Sequence, residues 1–295
     1  MKKLMLVVNP SAGKSAVGPR MIEIIDVFIK GGYDVETVVS QSVEHLKETV
    51  TGRGGDFDVV VCCGGDGTLN LTCGALLGID GASRPKFGYI PTGTTNDFAK
   101  TRGISSDPVK AAKQIVEGEE HKIDVGFFGD KTYVYVAAFG VFSDVSYATS
   151  RSLKKAIGHA AYVIGGIKAV AHIESFHVKF TVNGETIEDD FIYGMLSNTR
   201  RVGGFKLPLF KKFDLDDGLI DITLVKKPKG IKRRSRLVNA LIKQKSDGME
   251  LLQFTTDSLS YECDKEIPWT LDGEFGGAYK SNDIKIVGGL VTMVY

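Results

Sequence analysis

The sequence predicts an α/β chain: a doubly wound, parallel-sheet domain over residues 1–125, then an antiparallel β domain over 126–287, with 288–295 as a strand able to rejoin the first. Three observations carry this. Strand and helix patterns alternate through the first 125 residues, which implies parallel strands with crossover helices and ligands at the C-terminal strand ends. The run VVVCCGGDGTLN (59–70) passes from a fully apolar strand into a glycine turn and a helix start. Beyond residue 125 strand-like runs dominate, as in an antiparallel domain.

In chain order, KLMLVVNP (3–10) reads as the first strand. Its apolar stretch, about five residues before Asn9-Pro10, is too short for the h-region of a leader. PRMIEIIDVFIKGG (19–32) is a helix, with Ile22, Ile25, Val27, Phe28 and Ile29 near the 3.6 period and glycines at its end. DVETVVS, SVEHLKETVTGRGG and DVVVCC continue as strand, helix and strand; KFGYIPTG is the fourth strand. Asp107-Pro108 opens another helix over 107–118 as N-cap and N1. In the second half, KTYVYVAAFGVF reads as one strand. HVKFTV and TIEDDFIYGMLSN form a hairpin through Asn183-Gly184, a pair that favours a type I′ turn. LIDITLVKK, LLQFTT, SLSYEC, DIKIVGG and LVTMVY follow as strands, with helices at about 150–172 and 231–245.

Composition narrows the function. Charged and apolar fractions are ordinary and the net charge is +1, so no whole-protein field draws a polyanion, and no nucleic-acid partner is expected. Cys62, Cys63, Cys73 and Cys263 show no C-x-x-C spacing and read as thiols in a reducing cytoplasm rather than as a zinc site or a disulfide framework. The apolar stretch 156–170 contains His159, Lys168 and glycines and falls short of a spanning helix. Membrane contact is therefore expected to be peripheral. Oligomeric state stays open, a homodimer being one option.

The chemistry sits at strand ends. Gly64, Gly65 and Gly67 permit dihedrals and backbone approach that a Cβ forbids, and a helix starting at Thr68 adds its dipole, making an anion cradle. The plain alternative is a tight βα turn. Asp66 tips the balance, because a carboxylate inside a phosphate cradle repels phosphate unless a divalent cation or polarised hydroxyl lies between them. NPSAGKS (9–15) is not a P-loop, since Val8 stands where its first glycine belongs, yet Lys14 can reach phosphates or simply sit in solvent. PTGTTNDFAK (91–100) places Thr92, Thr94, Thr95, Asn96 and Asp97 at another strand end, as ligands or as a capped loop. Asp272 and Glu274 flank Gly273; a turn carboxylate is commonly just solvated, whereas a glutamate aimed into an interdomain cleft can accept a substrate hydroxyl proton. Asp214, Asp216 and Asp217 suit a hard cation or a simple turn. KKPKGIKRRSRLVNALIKQK (226–245) is basic, with Leu237, Val238, Leu241 and Ile242 on one face. It reads as a surface for anionic lipid or as a solvated face over a core stripe.

Together GGDGTLN (64–70), PTGTTNDFA (91–99), IDVG (123–126), the segment 197–221 ending in DLDDGLID, and LDGE (271–274) resemble the soluble diacylglycerol kinases, a lipid kinase family that includes the sphingosine kinases. The match runs in order over nearly the whole chain. The resemblance implies ATP and Mg2+ on the α/β domain and a lipid, diacylglycerol first, presented by the β domain at a membrane surface. By motif position Asn9, Lys14, Ser40, Gly64, Gly65, Asp66, Gly67, Thr68, Leu69, Asn70 and Thr94 would contact ATP. Asp66, Asp97 and Asp124 would organise the catalytic magnesium, and Glu274 would be the general base. A second magnesium would sit on Asp217 with backbone oxygens of Asp214 and Leu219. Another lipid acceptor, a soluble acceptor such as NAD, and a non-catalytic nucleotide or lipid sensor are the rival readings.

Overall fold

A computed structural model describes residues 1–12, 18–140, 173–199, 201–202, 205–206, 215–243 and 248–295. The first part has parallel strands β1 (Lys2–Val8), β2 (Tyr33–Val39), β3 (Val59–Gly64) and β4 (Lys86–Pro91), side by side in the order β2-β1-β3-β4. Their crossovers carry α1 (Met21–Lys30), α2 (Val43–Arg53) and α3 (Asp66–Leu77). After β4 come α4 (Asp97–Arg102) and α5 (Pro108–Glu117). α1 packs with α5, and α2 with α3. Every residue of β3 is buried, which is why its sequence is an unbroken apolar run rather than an alternation. The chain steps from β1 outward to β2, then back across to β3 on the other side of β1. The strand order therefore reverses between β1 and β3, the place where open α/β sheets hold ligands.

The antiparallel part comprises β5 (Glu120–Phe128), β6 (Lys131–Tyr133), β7 (Val136–Gly140), β8 (Phe176–Val182) and β9 (Glu185–Ser197). The short pair β10 (Arg201–Val202) and β11 (Phe205–Lys206) follows, then β12 (Ile220–Lys226), helix α6 (Ile231–Lys243), β13 (Leu251–Thr256), β14 (Ser258–Leu271) and β15 (Glu274–Val294). It is joined to the parallel part in one thirteen-stranded sheet because β15 runs on until Met293 pairs in parallel with Phe87 of β4. Asn183 and Gly184 both take positive φ, 51° and 80°, and close the β8–β9 hairpin with the turn the sequence predicts. The core of this part centres on Trp269, whose ring lies 4.8 Å from Phe139, 4.9 Å from Phe128 and 5.3 Å from Tyr261.

Several expectations need correction. α3 begins at Asp66, not Thr68, with Gly65 as its N-cap, so the aspartate lies in the first helical turn. The helix expected over 19–32 is a short 3-10 turn followed by α1 alone. KTYVYVAAFGVF is not one strand: pairing breaks at Val134 and Tyr135 between β6 and β7. DIKIVGG and LVTMVY are parts of the single strand β15, with a register shift between Val287 and Val291. Leu237 and Val238 of α6 are buried, Leu237 against Ile192, Val225 and Leu251, so this part of the apolar stripe belongs to the core. The helix read at about 150–172 lies outside the described residues. Cys62, Cys63 and Cys73 are buried free thiols, and burial pushes Cys63 and Cys73 up to about 12; Cys263 is half-buried. Among the described residues no helix is long and apolar enough to cross a membrane.

Arg84 fastens the returning strand. Its guanidinium donates to the carbonyls of Leu76 (3.0 Å) and Ile79 (3.1 Å), at and just beyond the C-terminus of α3, and to Leu290 of β15 (2.8 Å). A cation at a helix C-terminus also meets the negative end of the helix dipole. Replacing Arg84 with Met strands these acceptors, and the expected cost is about 2 kcal/mol. It should be read as a lower urea midpoint at unchanged m-value.

Candidate active site

Three strand-end loops meet where the sheet order reverses. After β1, Asn9 N–H donates to the Cys63 carbonyl at 3.0 Å, while its side-chain amide donates to Thr68 Oγ1 at 2.9 Å. After β4, Thr92 N–H donates to the Gly64 carbonyl at 2.8 Å. These bonds fix the loops around the N-terminus of α3, whose first amides have no carbonyl partner within the helix. Absence of side chains is what lets them meet. A Cβ on Gly64 would lie 2.4 Å from Thr68 Cβ, and one on Gly93 2.7 Å from the Cα of Gly65. Gly65 itself keeps ordinary negative φ (−89°) and a Cβ on it would meet the Gly93 Cα at an unstrained 3.4 Å, so the close approach requires glycine at positions 64 and 93.

Asp66 is 8 % exposed. Its Oδ2 accepts from Asp97 N–H at 3.1 Å and from the Thr95 hydroxyl at 3.3 Å, whereas Oδ1 is buried without a partner. Burial raises its pKa, opposed by the amides of Asp97 and Phe98 and by Thr95; the neighbouring Asp97 carboxylate pushes it further up. A buried carboxylate oxygen with nothing to accept from, beside a second carboxylate, is the environment a hard cation or its water would complete. The donor set therefore fits Mg2+. The loop bearing Asp97 turns through Asn96, held at φ 49° with its side-chain amide donating to the Gly93 carbonyl (2.9 Å).

Glu274 arrives from the far end of the chain. A Cβ placed on Gly67 would be 3.4 Å from both Cγ and Oε1 of Glu274, so the glutamate lies across the first turn of α3. It is the first residue after the β14–β15 turn, where Asp272 (φ 51°) and Gly273 (φ 88°) both take left-handed backbone. Asp272 is 3 % exposed. Its Oδ2 accepts from Val134 N–H (2.7 Å) and its Oδ1 from the amides of Tyr135 and Val136 (2.9 Å each). Those amides are free because β6 and β7 break there. The Tyr135 hydroxyl donates to the Asp272 carbonyl at 3.3 Å. Burial first, then the charges of Asp66, Asp272 and Asp97, holds that phenol far above its ordinary range.

The remaining predicted residues are placed variously. Ser40 is buried at the end of β2, its hydroxyl donating to the Val8 carbonyl at 3.2 Å. Leu69 is in the core, and the Asn70 side chain exchanges two hydrogen bonds with Thr132 of β6 (3.2 and 3.1 Å). Thr94 is exposed in the bend after β4. Asp124 is held by the other acidic loop: its oxygens accept from Gly218 N–H (2.7 Å) and Gly289 N–H (2.9 Å). Burial raises its pKa and those amides lower it. In that loop Asp217 Oδ1 accepts from Leu219 N–H at 3.0 Å, and Asp216 takes two bonds of 2.7 Å from Arg102, at the end of α4. Among the described residues no three His, Cys, Asp or Glu side chains cluster as a ready-made metal cage. Lys14 and Asp214 lie outside the described residues. Sequence reasoning missed the parts played by Gly93, Tyr135 and Arg102 and treated Asp272 only as a turn carboxylate. Gly93, between two threonines at a strand end, carried a usable signal; the others act through contacts distant in sequence.

Residues 3–128 match the family model for the diacylglycerol kinase catalytic domain. The chain is 26% identical to the diacylglycerol kinase of Bacillus subtilis (strain 168) over 281 residues, 94% of this chain and 91% of the relative. It is also 26% identical to that of Staphylococcus carnosus (strain TM300) over 286 residues, 97% of this chain and 92% of the relative. A solved structure from Bacillus anthracis, described as that of a candidate diacylglycerol kinase, superposes with a TM-score of 0.80 at 26% identity, covering 100% of this chain and 95% of that one. The resemblance read from the motifs is borne out. Residues 3–128 are thus similar to the catalytic domain of the diacylglycerol kinases, and the mixed α/β fold with its extended sheet is that of the solved structure from Bacillus anthracis.

Burial pushes Asp272 up to about 7, against the pull of its three amides. A carboxyl whose folded value exceeds its unfolded value of about 3.9 adds stability that is full below the unfolded value and lost as pH rises through the folded one. Thermal unfolding in chelator should therefore show a midpoint that falls between pH 5 and pH 8. Asp272→Asn should flatten that slope; an equal slope in the variant would remove Asp272 as its source.

Proposed function

We propose that the protein is an ATP-dependent lipid kinase that phosphorylates the free hydroxyl of diacylglycerol to give phosphatidate. The observation that carries the reading is the glutamate laid across the first turn of the helix that follows the glycine loop: a base and an anion cradle face one another. In this reading residues 1–125, with the end of β15, bind nucleotide, and 126–287 present the lipid. The acceptor is taken from the similar diacylglycerol kinases of Bacillus subtilis and Staphylococcus carnosus.

The amides at the start of α3 and the glycine loop receive the ATP phosphates, the end of the helix dipole that favours anions. Asp66 through Oδ1, together with Asp97, would hold Mg2+, which supplies neutralisation of the charge shared by the β- and γ-phosphates. Asp217 with the Leu219 carbonyl, and Asp214, would hold a second ion. Glu274 orients the acceptor hydroxyl and takes its proton as the oxygen forms a bond to the γ-phosphorus. The bridging P–O bond breaks, and ADP leaves with the electron pair.

Peripheral membrane contact would use the basic face of α6. With Leu237 and Val238 in the core, the attraction to anionic lipid is electrostatic, about 1 kcal/mol per basic residue near the surface. Lys232→Glu, Arg233→Glu and Arg234→Glu combined should abolish binding to vesicles rich in phosphatidylglycerol; because Arg233 also pairs with the buried Glu250 at 3.3 Å, Lys232→Glu alone is the variant that should weaken vesicle binding and leave turnover in detergent micelles intact.

The deciding experiment is transfer from radiolabelled ATP to a panel of diacylglycerol, sphingoid base, phosphatidylglycerol, undecaprenol, NAD and sugar phosphate, with micelles and without. Labelled phosphatidate as the main product is the expected outcome. Label in a soluble acceptor alone would overturn the lipid assignment. Glu274→Gln should lose most of kcat, on the order of 100-fold or more, while binding Mg-ATP normally by calorimetry. Turnover at the wild-type rate would remove Glu274 from the chemistry.

A further inference from the structure

We propose that Asp272 is the positioning residue for Glu274: by gripping the three consecutive amides of Val134, Tyr135 and Val136 it fixes the turn that lays the glutamate against Gly67. The inference rests on the kinase reading above and adds to it a residue that does not touch substrate.

The turn needs external fixing. Two successive left-handed residues and a two-residue connection set the direction in which the chain leaves β14, but Glu274 and Phe275 beyond it are exposed, and Gly273 has open space where a side chain would be. What holds the turn is the inward side: the Asp272 carboxylate on three amides, Asp272 N–H donating to the Val136 carbonyl at 2.8 Å, and the Tyr135 hydroxyl on the Asp272 carbonyl. Backbone and side chain of one residue are thus tied from both directions to residues 134–136.

Those residues are in turn referenced to the catalytic domain. Thr132, at the centre of β6, exchanges hydrogen bonds with Asn70 on α3, and its hydroxyl approaches Gly74, where a Cβ would lie 2.9 Å away. The same helix therefore carries Asp66 and Gly67 at its start and, a turn later, the contact that sets the height of the β6–β7 break. A short chain of hydrogen bonds, Asn70 to Thr132, then along the strand to Val134 and across to Asp272, relates the base to the cradle it faces. A break in a strand normally leaves amides unpaired; here the three are consumed by one carboxylate, which accounts for the buried acid, for the break and for its position.

Asn in place of Asp272 keeps the shape but turns one oxygen into an N–H2 facing a donor, loosening the turn. A displacement of about 1 Å at a reacting group can cost 100-fold. Asp272→Asn should lower kcat for dioleoylglycerol in mixed micelles about 10- to 100-fold, with the Mg-ATP dissociation constant within about twofold of wild type. The discriminating measurement is a double-mutant cycle with Glu274→Gln. If Asp272 acts through the glutamate, D272N should cost under about threefold more in the E274Q background. Equal factors in both backgrounds, or an equal loss of nucleotide binding, would overturn the inference. Tyr135→Phe, which removes one hydroxyl bond and leaves the carboxylate clamp, gives a second cycle that decides the matter if D272N does not unfold cooperatively; its smaller loss should likewise vanish beside E274Q. Wild-type turnover in E274Q alone sinks the underlying kinase reading, whereas an impaired E274Q with additive cycles sinks only the positioning role.

Discussion

The backbones of Gly65 and Gly93 lie so close that Gly93 tolerates no methyl group, a Cβ there falling 2.7 Å from the Gly65 Cα, and the site depends on that approach. Because no side chain intervenes, the loop after β4 can turn back far enough for the Asp97 amide to reach Asp66. Because Gly64 has no Cβ, Thr68 can stand beneath it and accept from Asn9 of the first loop. Each of the three loops is thus measured against another's main chain rather than against side chains that could rotate. Rigidity comes from close packing of backbone, which has no rotamers to lose.

The electrostatic arrangement follows from that packing. Acidic groups gather at the positive end of α3, the end that favours them, yet their number exceeds what one helix dipole can offset. Asp66 keeps one oxygen without a partner, and its pKa is raised. The region is poised to gain from a bound cation. The second acidic loop is tied to the same region by α4, which presents Asp97 at its first residue and Arg102 at its last. One six-residue helix spans the distance between two carboxylate-bearing loops.

Much of this was legible in the sequence because it is local. Strand β3 announced itself by an apolar run bounded by glycines, α5 by Asp107-Pro108, and the β8–β9 hairpin by Asn183-Gly184; in each, nearest neighbours settle the conformation. The glycine turn and the glutamate after Asp272-Gly273 could be singled out as chemical, and family resemblance joined them. What stayed hidden depends on pairing between distant segments. The break after Tyr133 cannot be read from KTYVYVAAFGVF, whose alternation argues for one continuous strand, because the competing acceptor lies more than a hundred positions away. The same holds for Leu237 and Val238: amphipathic spacing reports that a helix has an apolar side, not whether lipid or protein covers it. α4 was missed because six residues entered through a left-handed asparagine carry no detectable period.

Strand β15 leaves the hairpin turn as the antiparallel partner of β14 and β5 and ends as the parallel partner of β4. Successive residues of a strand point to opposite faces, and between Glu274 and the shift at Gly288-Gly289 the facing is set by the residue count together with two register shifts against β14, opposite Glu262–Ile267 and Trp269–Thr270. A single inserted or deleted residue there would invert the strand's faces relative to its far anchor, taking the glutamate away from α3. Changes of length in this lineage are consequently expected to accumulate in the connections and to spare this segment, or to come in compensating pairs.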